Sequence, residues 1–351
     1  MAQPLPLLRR DGLLGLYDTG GVGAMVEGLT KAAQSGFDVA GVPFRLIDRL
    51  LADGLPAEPM QLAGLADLLP GGQPRLFRAI CADLSARDSA HDSGRDGAAL
   101  VALHADTSAH PMTRWEALCW AVFLRNRAVP AMQGLPVRQI CQFWDQPSPP
   151  SEIADAMADW AAIGSWKRFD EAQAVRFVSR SHGESQARLL AQLGHPAAKS
   201  DLFRLYWLHE RGGAYVDADA TPQPGTRSFL AANGDQVWAS AMTRVPHAVT
   251  INGFVAAPKG SAVIAHLIET ISRNLHDRPG GPIFWLCGPG AWTRALWQSR
   301  LPVSLMPAAS LARVFRQIDA PYKYSDRNWR VHEHRLGLKD AQILPDILAG
   351  T

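Results

Sequence analysis

Apolar residues recur at every third or fourth position through most of the first 127 residues, which predicts helices over 24–35, 44–52, 60–69, 73–85, 97–104 and 113–127. No alternating, strand-like pattern interrupts them, so residues 1–131 read as an all-helical accessory domain. Gly20, Gly21 and Gly23 lie in this region, but no strand precedes them and no Gly-Lys-Ser/Thr follows, so they predict a plain turn rather than a phosphate loop. Residues 87–97, rich in Asp, Ser, Gly and His, predict an exposed loop, and His91 has no partner at metal-ligand spacing.

The pattern changes after Pro130, Gly134 and Pro136. A strand over 137–144 is followed by a helix over 151–164, a strand over 166–169, and helices over 170–179 and 184–193. Further strands are predicted over 236–241 and 250–256, with helices over 261–275 and 291–298. Alternating strands and helices predict an α/β domain over 132–351 with a mostly parallel sheet, and nucleotides bind at the carboxyl ends of strands in such sheets.

The stretch from Lys199 to Pro222 has the densest signal. Ser200 or Asp201 is placed to cap a helix, Gly212 and Gly213 to end it, and Ala214, Tyr215 and Val216 to form a short strand leading to Asp217 and Asp219. Residues two apart at a strand end share a side, so the two carboxylates suit one hard cation, Mg²⁺ or Mn²⁺. In a chain with 24 aspartates such a spacing arises about once or twice by chance, so the surrounding helix, glycines and strand carry the inference. Asp201 and Arg204 lie one helical turn apart, suited to accept from and donate to hydroxyls of a ligand, or simply to form a surface ion pair.

Composition narrows the partners. A 47% hydrophobic chain of 351 residues can bury a large core plus a smaller one. A formal net charge of +2 and pI near 8.4, without long basic runs, argue against nucleic acid. Cys81, Cys119, Cys141 and Cys287 are widely spaced among apolar neighbours, which predicts buried free thiols. No secretory signal pattern opens the sequence, and the longest apolar run, 117–124, is too short to cross a bilayer. These features predict a cytoplasmic location, with peripheral contact at the inner face of the membrane left open.

Ser200, Asp201, Arg204, Leu208, Gly212, Gly213, Tyr215, Asp217 and Asp219 fit the pattern S-D-x-x-R-x-x-x-L-x-x-x-G-G-x-Y-x-D-x-D. This resembles the DXD sugar transferases that include the Golgi initiating mannosyltransferases of yeast, bacterial capsule and lipopolysaccharide transferases, and the large glucosylating toxins. The resemblance implies a GT-A-type, Rossmann-like mixed-sheet catalytic domain behind the helical one. It also implies transfer, with retention, of a hexose from a UDP- or GDP-linked donor with Mn²⁺ or Mg²⁺. The acceptor would be a glycan, lipid-linked glycan or protein hydroxyl, with surface-glycan synthesis the leading expectation. Pro136, Ile140, Gln142 and Trp144 match the strand that begins the catalytic half of such enzymes, where the tryptophan stacks on the base; Cys141 replaces a histidine. Tyr215, Asn252, Gly288 and Pro289 are the further matching donor-site positions.

In the tail, residues 322–334, Trp329 matches the relatives' closing tryptophan, while Lys323 and Tyr324 stand where histidines are expected. Asp326, or a histidine of His332-Glu333-His334, is left as the last metal ligand, and the tail is expected to order as a lid when donor and ion bind. Three other readings stay open: a toxin-like transferase acting on protein, an aspartate-nucleophile phosphatase with Asp217 as nucleophile, and a non-catalytic binding module. The phosphatase reading lacks a downstream Gly-Asp-x-x-x-Asp or Asp-Asp.

Overall fold

Three parallel strands set the edge on which the site is built. β1 (Ile140–Phe143) pairs in parallel with β2 (Trp166–Phe169) on one side and with β3 (Gly213–Val216) on the other. All three therefore end at the same edge, leaving Trp144, Asp170 and Asp217 at their carboxyl ends. Beyond β3 the sheet turns antiparallel through β6 (Thr250–Ala257) and β5 (Trp238–Ala241), and β7 (Ser304–Pro307) completes the order β2-β1-β3-β6-β5-β7. A second, two-stranded ladder joins β4 (Ala220–Pro222) to β8 (Phe315–Gln317). The architecture is the mixed α/β sheet expected of a GT-A-like catalytic domain.

The computed structural model describes residues 10–39, 41–52, 62–86, 97–128, 132–243, 245–336, 340–349 and 351. It forms two units. One comprises Met1–Arg125 with Met242–Ala248 and Pro307–Ala309; the other comprises Asn126–Ala241, Val249–Met306 and Ser310–Thr351.

The first unit is helical in its described amino-terminal part. Helix Arg10–Gln34 is continuous except at Gly21, whose φ of 70° breaks it where a turn was predicted. Helices Val42–Ala52 and Gln73–Ala86 meet edge to face through Phe44 and Phe77, ring centroids 5.4 Å apart. The buried Asp48 accepts from Thr243 Oγ1 and from the backbone N–H of Ala309, so one carboxylate gathers both outlying segments of this unit. Trp120 Nε1 donates to Pro246 O over 2.9 Å, and Glu116 pairs with His247 at 3.0 Å. The loop expected at 87–97 lies almost wholly outside the described residues.

In the second unit, strand alternation separates two cores. Ala214 and Val216 face Trp160, Phe229, Phe254 and Phe315, while Tyr215 faces the other way, under helix Pro196–Arg211. That helix is buried nearly all round, from Leu202 to Leu208, because Phe203 packs on Phe143, Phe169 and Phe177 on one side. The four cysteines are free and buried, as expected. Burial pushes the Cys81 thiol up to about 12 and raises the other three as well. Among the described residues no helix is long and apolar enough to cross a membrane.

Candidate functional site

Helix Pro196–Arg211 starts one turn earlier than the sequence suggests. His195, not Ser200 or Asp201, caps it, accepting from Ala197 N at 3.1 Å, and Pro196 opens the first turn. Ser200 and Asp201 thereby fall inside the helix with side chains free for tertiary work. The helix end is as predicted: Gly212 and Gly213 have φ of 67° and 107°. A Cβ at Gly213 would lie 2.4 Å from Gln139 O, and one at Gly212 2.6 Å from Lys259 N, so both glycines are required for conformation and for space.

Asp201 and Arg204 form an ion pair, but not a surface one. Arg204 Nη2 lies 2.7 Å from Asp201 Oδ1 and 3.2 Å from Asp217 Oδ1, with the arginine side chain 4% exposed. The same guanidinium donates to Ser200 Oγ (2.9 Å) and to Asn252 O, and lies 4.6 Å above the Tyr215 ring. Burial opposes its charge, and Asp201 and Asp217 more than offset that, leaving the guanidinium more basic than usual. Asn252 Nδ2 donates to Asp201 Oδ1 at 2.9 Å, and Tyr215 Oη meets Ser200 Oγ at 2.7 Å. Arg204, Asn252 and Tyr215 thus form a scaffold that holds Asp201 and Asp217.

Asp217 extends β3 through its N–H to Gly253 O at 2.8 Å, and its carbonyl accepts from Gln142 Nε2, which Trp166 fixes through a 2.7 Å bond. Gly253 faces the carboxylate so closely that a Cβ there would lie 2.6 Å from Asp217 Oδ2. Asp219 reaches the site differently from the strand alternation expected. It sits in the tight turn between β3 and β4, closed by Ala220 N to Asp217 O, and its side chain is 5% exposed. Although 28% of the Asp217 side chain stays open, burial of the rest, opposed by Arg204 and reinforced by Asp219 and Asp201, pushes its carboxyl up to about 7. Burial likewise pushes Asp201 up to about 6 against the pull of Arg204.

Two crowded carboxylates with only oxygen donors fit a hard divalent ion, whose arrival would relieve the charge that burial penalises. Among the described residues no three His, Cys, Asp or Glu side chains gather to hold one. Asp326, expected as the last ligand, is not brought to the pair: it is exposed and bonded to Arg335 on the following helix, while its backbone carbonyl is taken by His195. Were an ion held by Asp217 and Asp219, the rest of its shell would have to come from oxygens other than protein carboxylates.

Trp144 follows β1 at the same edge. It packs with Ile153, Met157, Ala218 and Ala320, is 7% exposed, and has a buried indole N–H without a hydrogen-bond partner. Tyr322 meets it edge-on at 5.6 Å, and Arg327, paired with Asp145, lies 4.9 Å over the ring. The tail is docked in this structure. β8 leads straight into it, and Lys323 Nζ lies 2.8 Å from Asp219 Oδ2. Glu333 accepts from Ile283 N at 2.5 Å, and Trp329 stacks on Phe284 at 6.0 Å. Gly288 and Pro289 cap and open helix Pro289–Ser299; the preceding Cys287 thiol donates to Ile283 O at 3.6 Å, and after burial the charge of Asp201 helps to raise it, which places this loop beside the scaffold.

Sequence reasoning missed Gln142 as a brace, Gly253 as the space for Asp217, and Tyr322 and Arg327 as neighbours of Trp144. Gly253 carried a signal, a glycine within an otherwise buried strand, which marks close approach of another group.

Residues 137–234 match the family model described as a glycosyltransferase sugar-binding region containing a DXD motif. No curated protein matches the sequence. Among solved structures, the chain is similar to the PaToxG glycosyltransferase at 14% identity, over 63% of this chain and 92% of that one, with a TM-score of 0.33. It is also similar to the glycosyltransferase domain of the YGT toxin. The UDP-bound form matches at 14% identity over 35% and 37% of the two chains with a TM-score of 0.24, and the ligand-free form at 11% over 77% and 68% with 0.28. None reaches a TM-score of 0.5, so the reading of the site rests on its own geometry and on the matched region. That region contains β1, the scaffold helix and both aspartates at the edge of the sheet, so this part of the chain matches the DXD-containing sugar-binding region of glycosyltransferases.

Proposed function

We propose that the protein transfers a hexose from a UDP- or GDP-linked donor to a hydroxyl acceptor, with retention and with Mn²⁺ or Mg²⁺ held by Asp217 and Asp219. The observation that carries this reading is Asp217 at the end of β3 and Asp219 in the turn after it, backed by the buried Asp201–Arg204 ion pair, at the edge where Trp144 also lies. Such a site is organised to receive a cation and a flat base on neighbouring elements.

In the reaction the anomeric carbon–oxygen bond to the diphosphate breaks, the acceptor oxygen bonds to the same face of that carbon, and the acceptor proton passes to a leaving phosphate oxygen. When bound, the ion supplies positive charge against the charge developing on the diphosphate. Arg204 aims Asp217 and favours its ionised form against burial, and Asp201 and Asn252 keep Arg204 in place. Trp144 offers its ring to the base once Arg327 moves from over it, and its unpaired N–H is a donor for the ligand. The tail, closing again once Arg327 has moved and the donor is seated, excludes water from it. A surface glycan is the acceptor class we favour, with a protein hydroxyl the alternative.

The test is nucleoside diphosphate release, measured by mass spectrometry across a panel of UDP- and GDP-sugars with Mn²⁺, for the native protein and Asp219→Asn. Release that requires the ion and Asp219 is expected; no release from any donor, or release indifferent to Asp219, overturns the reading.

A further inference from the structure

Lys323 stands where a histidine was expected, and the structure gives it a specific place. Its ammonium lies 2.8 Å from Asp219 Oδ2 and 2.5 Å from Ile318 O, with the side chain 24% exposed. The backbone around it is fixed: Lys323 N donates to Ala320 O at 3.0 Å, and Asn328 Nδ2 donates to Lys323 O at 2.6 Å. On its amino-terminal side, Tyr322 packs against Trp144. Lys323 is thus held at one of the two carboxylates assigned to the ion.

The charges nearby make this position consequential. Three carboxylates, Asp201, Asp217 and Asp219, face two cations, Arg204 and Lys323. Arg204 is enclosed and bonded to Asp201, Asp217, Ser200 and the Asn252 carbonyl, so it cannot turn to a ligand without dismantling the scaffold. Lys323 has a flexible four-carbon stem and keeps part of its surface open, so it can leave Asp219 without unfolding anything. A diphosphate bound at the aspartates would offer that ammonium a partner of higher charge than a single carboxylate.

We propose that Lys323 is a second, protein-supplied cation of the donor site. It holds Asp219 before an ion binds, yields that carboxylate to the ion, and then turns its ammonium to the leaving diphosphate. This rests on the nucleotide-sugar reading above. Two consequences follow from the exchange of partners. Binding of the ion alone is weakened because it must break the Lys323–Asp219 pair. Ion and diphosphate then bind cooperatively, because the displaced ammonium regains a partner only when the diphosphate is present.

The experiment titrates Mn²⁺ by electron paramagnetic resonance into the full chain and into Lys323→Met and Lys323→Arg, each alone and with UDP or GDP, with near-ultraviolet circular dichroism as the check on folding. Lys323→Met is expected to bind Mn²⁺ alone about fivefold more tightly or better, and to lose most of the tightening that the nucleotide confers. Its turnover is expected to fall about a hundredfold. Lys323→Arg, which keeps the charge, is expected to retain the coupling. Unchanged Mn²⁺ affinity in a folded Lys323→Met overturns the proposal; so does unchanged coupling to nucleotide. The Mn²⁺-alone arm needs no donor, so it decides the competition for Asp219 even if no sugar nucleotide is turned over and the functional reading itself fails.

Discussion

Arg204 Nη2 stands 3.2 Å from Asp217 Oδ1, and the guanidinium that makes this contact is almost sealed from solvent. Asp217 is therefore aimed by a charge that solvent does not screen. Removing one partner of a buried pair strands the other, so Arg204→Met is expected to lower unfolding free energy by about 3–5 kcal/mol. Urea denaturation measures it. A loss below about 1 kcal/mol, the range of exposed pairs, would show that solvent already supports Asp201 and Asp217 without Arg204.

Asp217→Asn and Asp219→Asn are each expected to abolish donor hydrolysis and sugar transfer while leaving the protein folded. Either variant with native turnover, or native turnover in excess chelator, removes the ion from the mechanism.

Asp217 and Asp201 govern pH dependence without the ion. Asp217 and Asp201 sit at about 7 and about 6, above the ordinary 3.8, chiefly because they are buried. Between about pH 4 and pH 7 the unfolded chain has lost these protons while the folded chain keeps them, so their contribution to stability falls as pH rises. In chelator, the difference in melting temperature between Asp217→Asn and the native protein is expected to grow in favour of the variant from pH 5 to pH 8. Added Mn²⁺ is expected to raise the native melting temperature more at pH 8 than at pH 5. A pH-independent difference would place Asp217 in an ordinary solvated setting.

Gly253→Ala tests positioning without touching a charge. The added methyl group would meet Asp217 Oδ2 at 2.6 Å and must push the carboxylate aside. Mn²⁺ affinity is expected to fall roughly tenfold, the usual effect of disturbing a ligand's support. Calorimetric titration of Mn²⁺ reads this directly, and native affinity would mean that Asp217 has room to move or no part in binding.

Trp144 is both packed and under-satisfied, so its two roles separate by substitution. Trp144→Phe keeps a ring among Ile153, Met157 and Ala320 and removes the unpaired N–H. Trp144→Ala is expected to weaken binding of the correct nucleoside diphosphate by about 1–3 kcal/mol, with Trp144→Phe intermediate. Equal affinity for all three proteins, with only stability changed, would assign the tryptophan to the core.

Much of the site was legible because it is local. Gly212 and Gly213, the Tyr215 strand and the aspartate pair lie within eight residues; glycine and strand geometry announce all of them but Asp219, which a tight turn brings in. What spacing could not show was environment. Asp201 and Arg204 one turn apart look the same on a surface as in a core, and only the packing of helix Pro196–Arg211 against the sheet makes the pair buried. The β4–β8 ladder, Lys323 on Asp219 and Arg327 over Trp144 join residues about a hundred or more positions apart, and β4 and β8 have three residues each, too few for periodicity. The early start of the helix was obscured because Ser200 and Asp201 are good caps that the structure spends on Tyr215 and Arg204 instead.

The single carboxylate of Asp48, bonded to Thr243 and to the Ala309 N–H, also sets an order of events during synthesis. The helical unit reaches Arg125 early, but its last piece, Pro307–Ala309, leaves the ribosome 184 residues after that. At ordinary translation speed this is a delay of roughly 10–40 s. Until then the contacts of Asp48 with Thr243 and Ala309 are missing, so the helical unit is completed long after its own helices have been made. A ribosome-bound chain stopped before Thr243 should therefore expose the helical unit to protease that the completed protein resists.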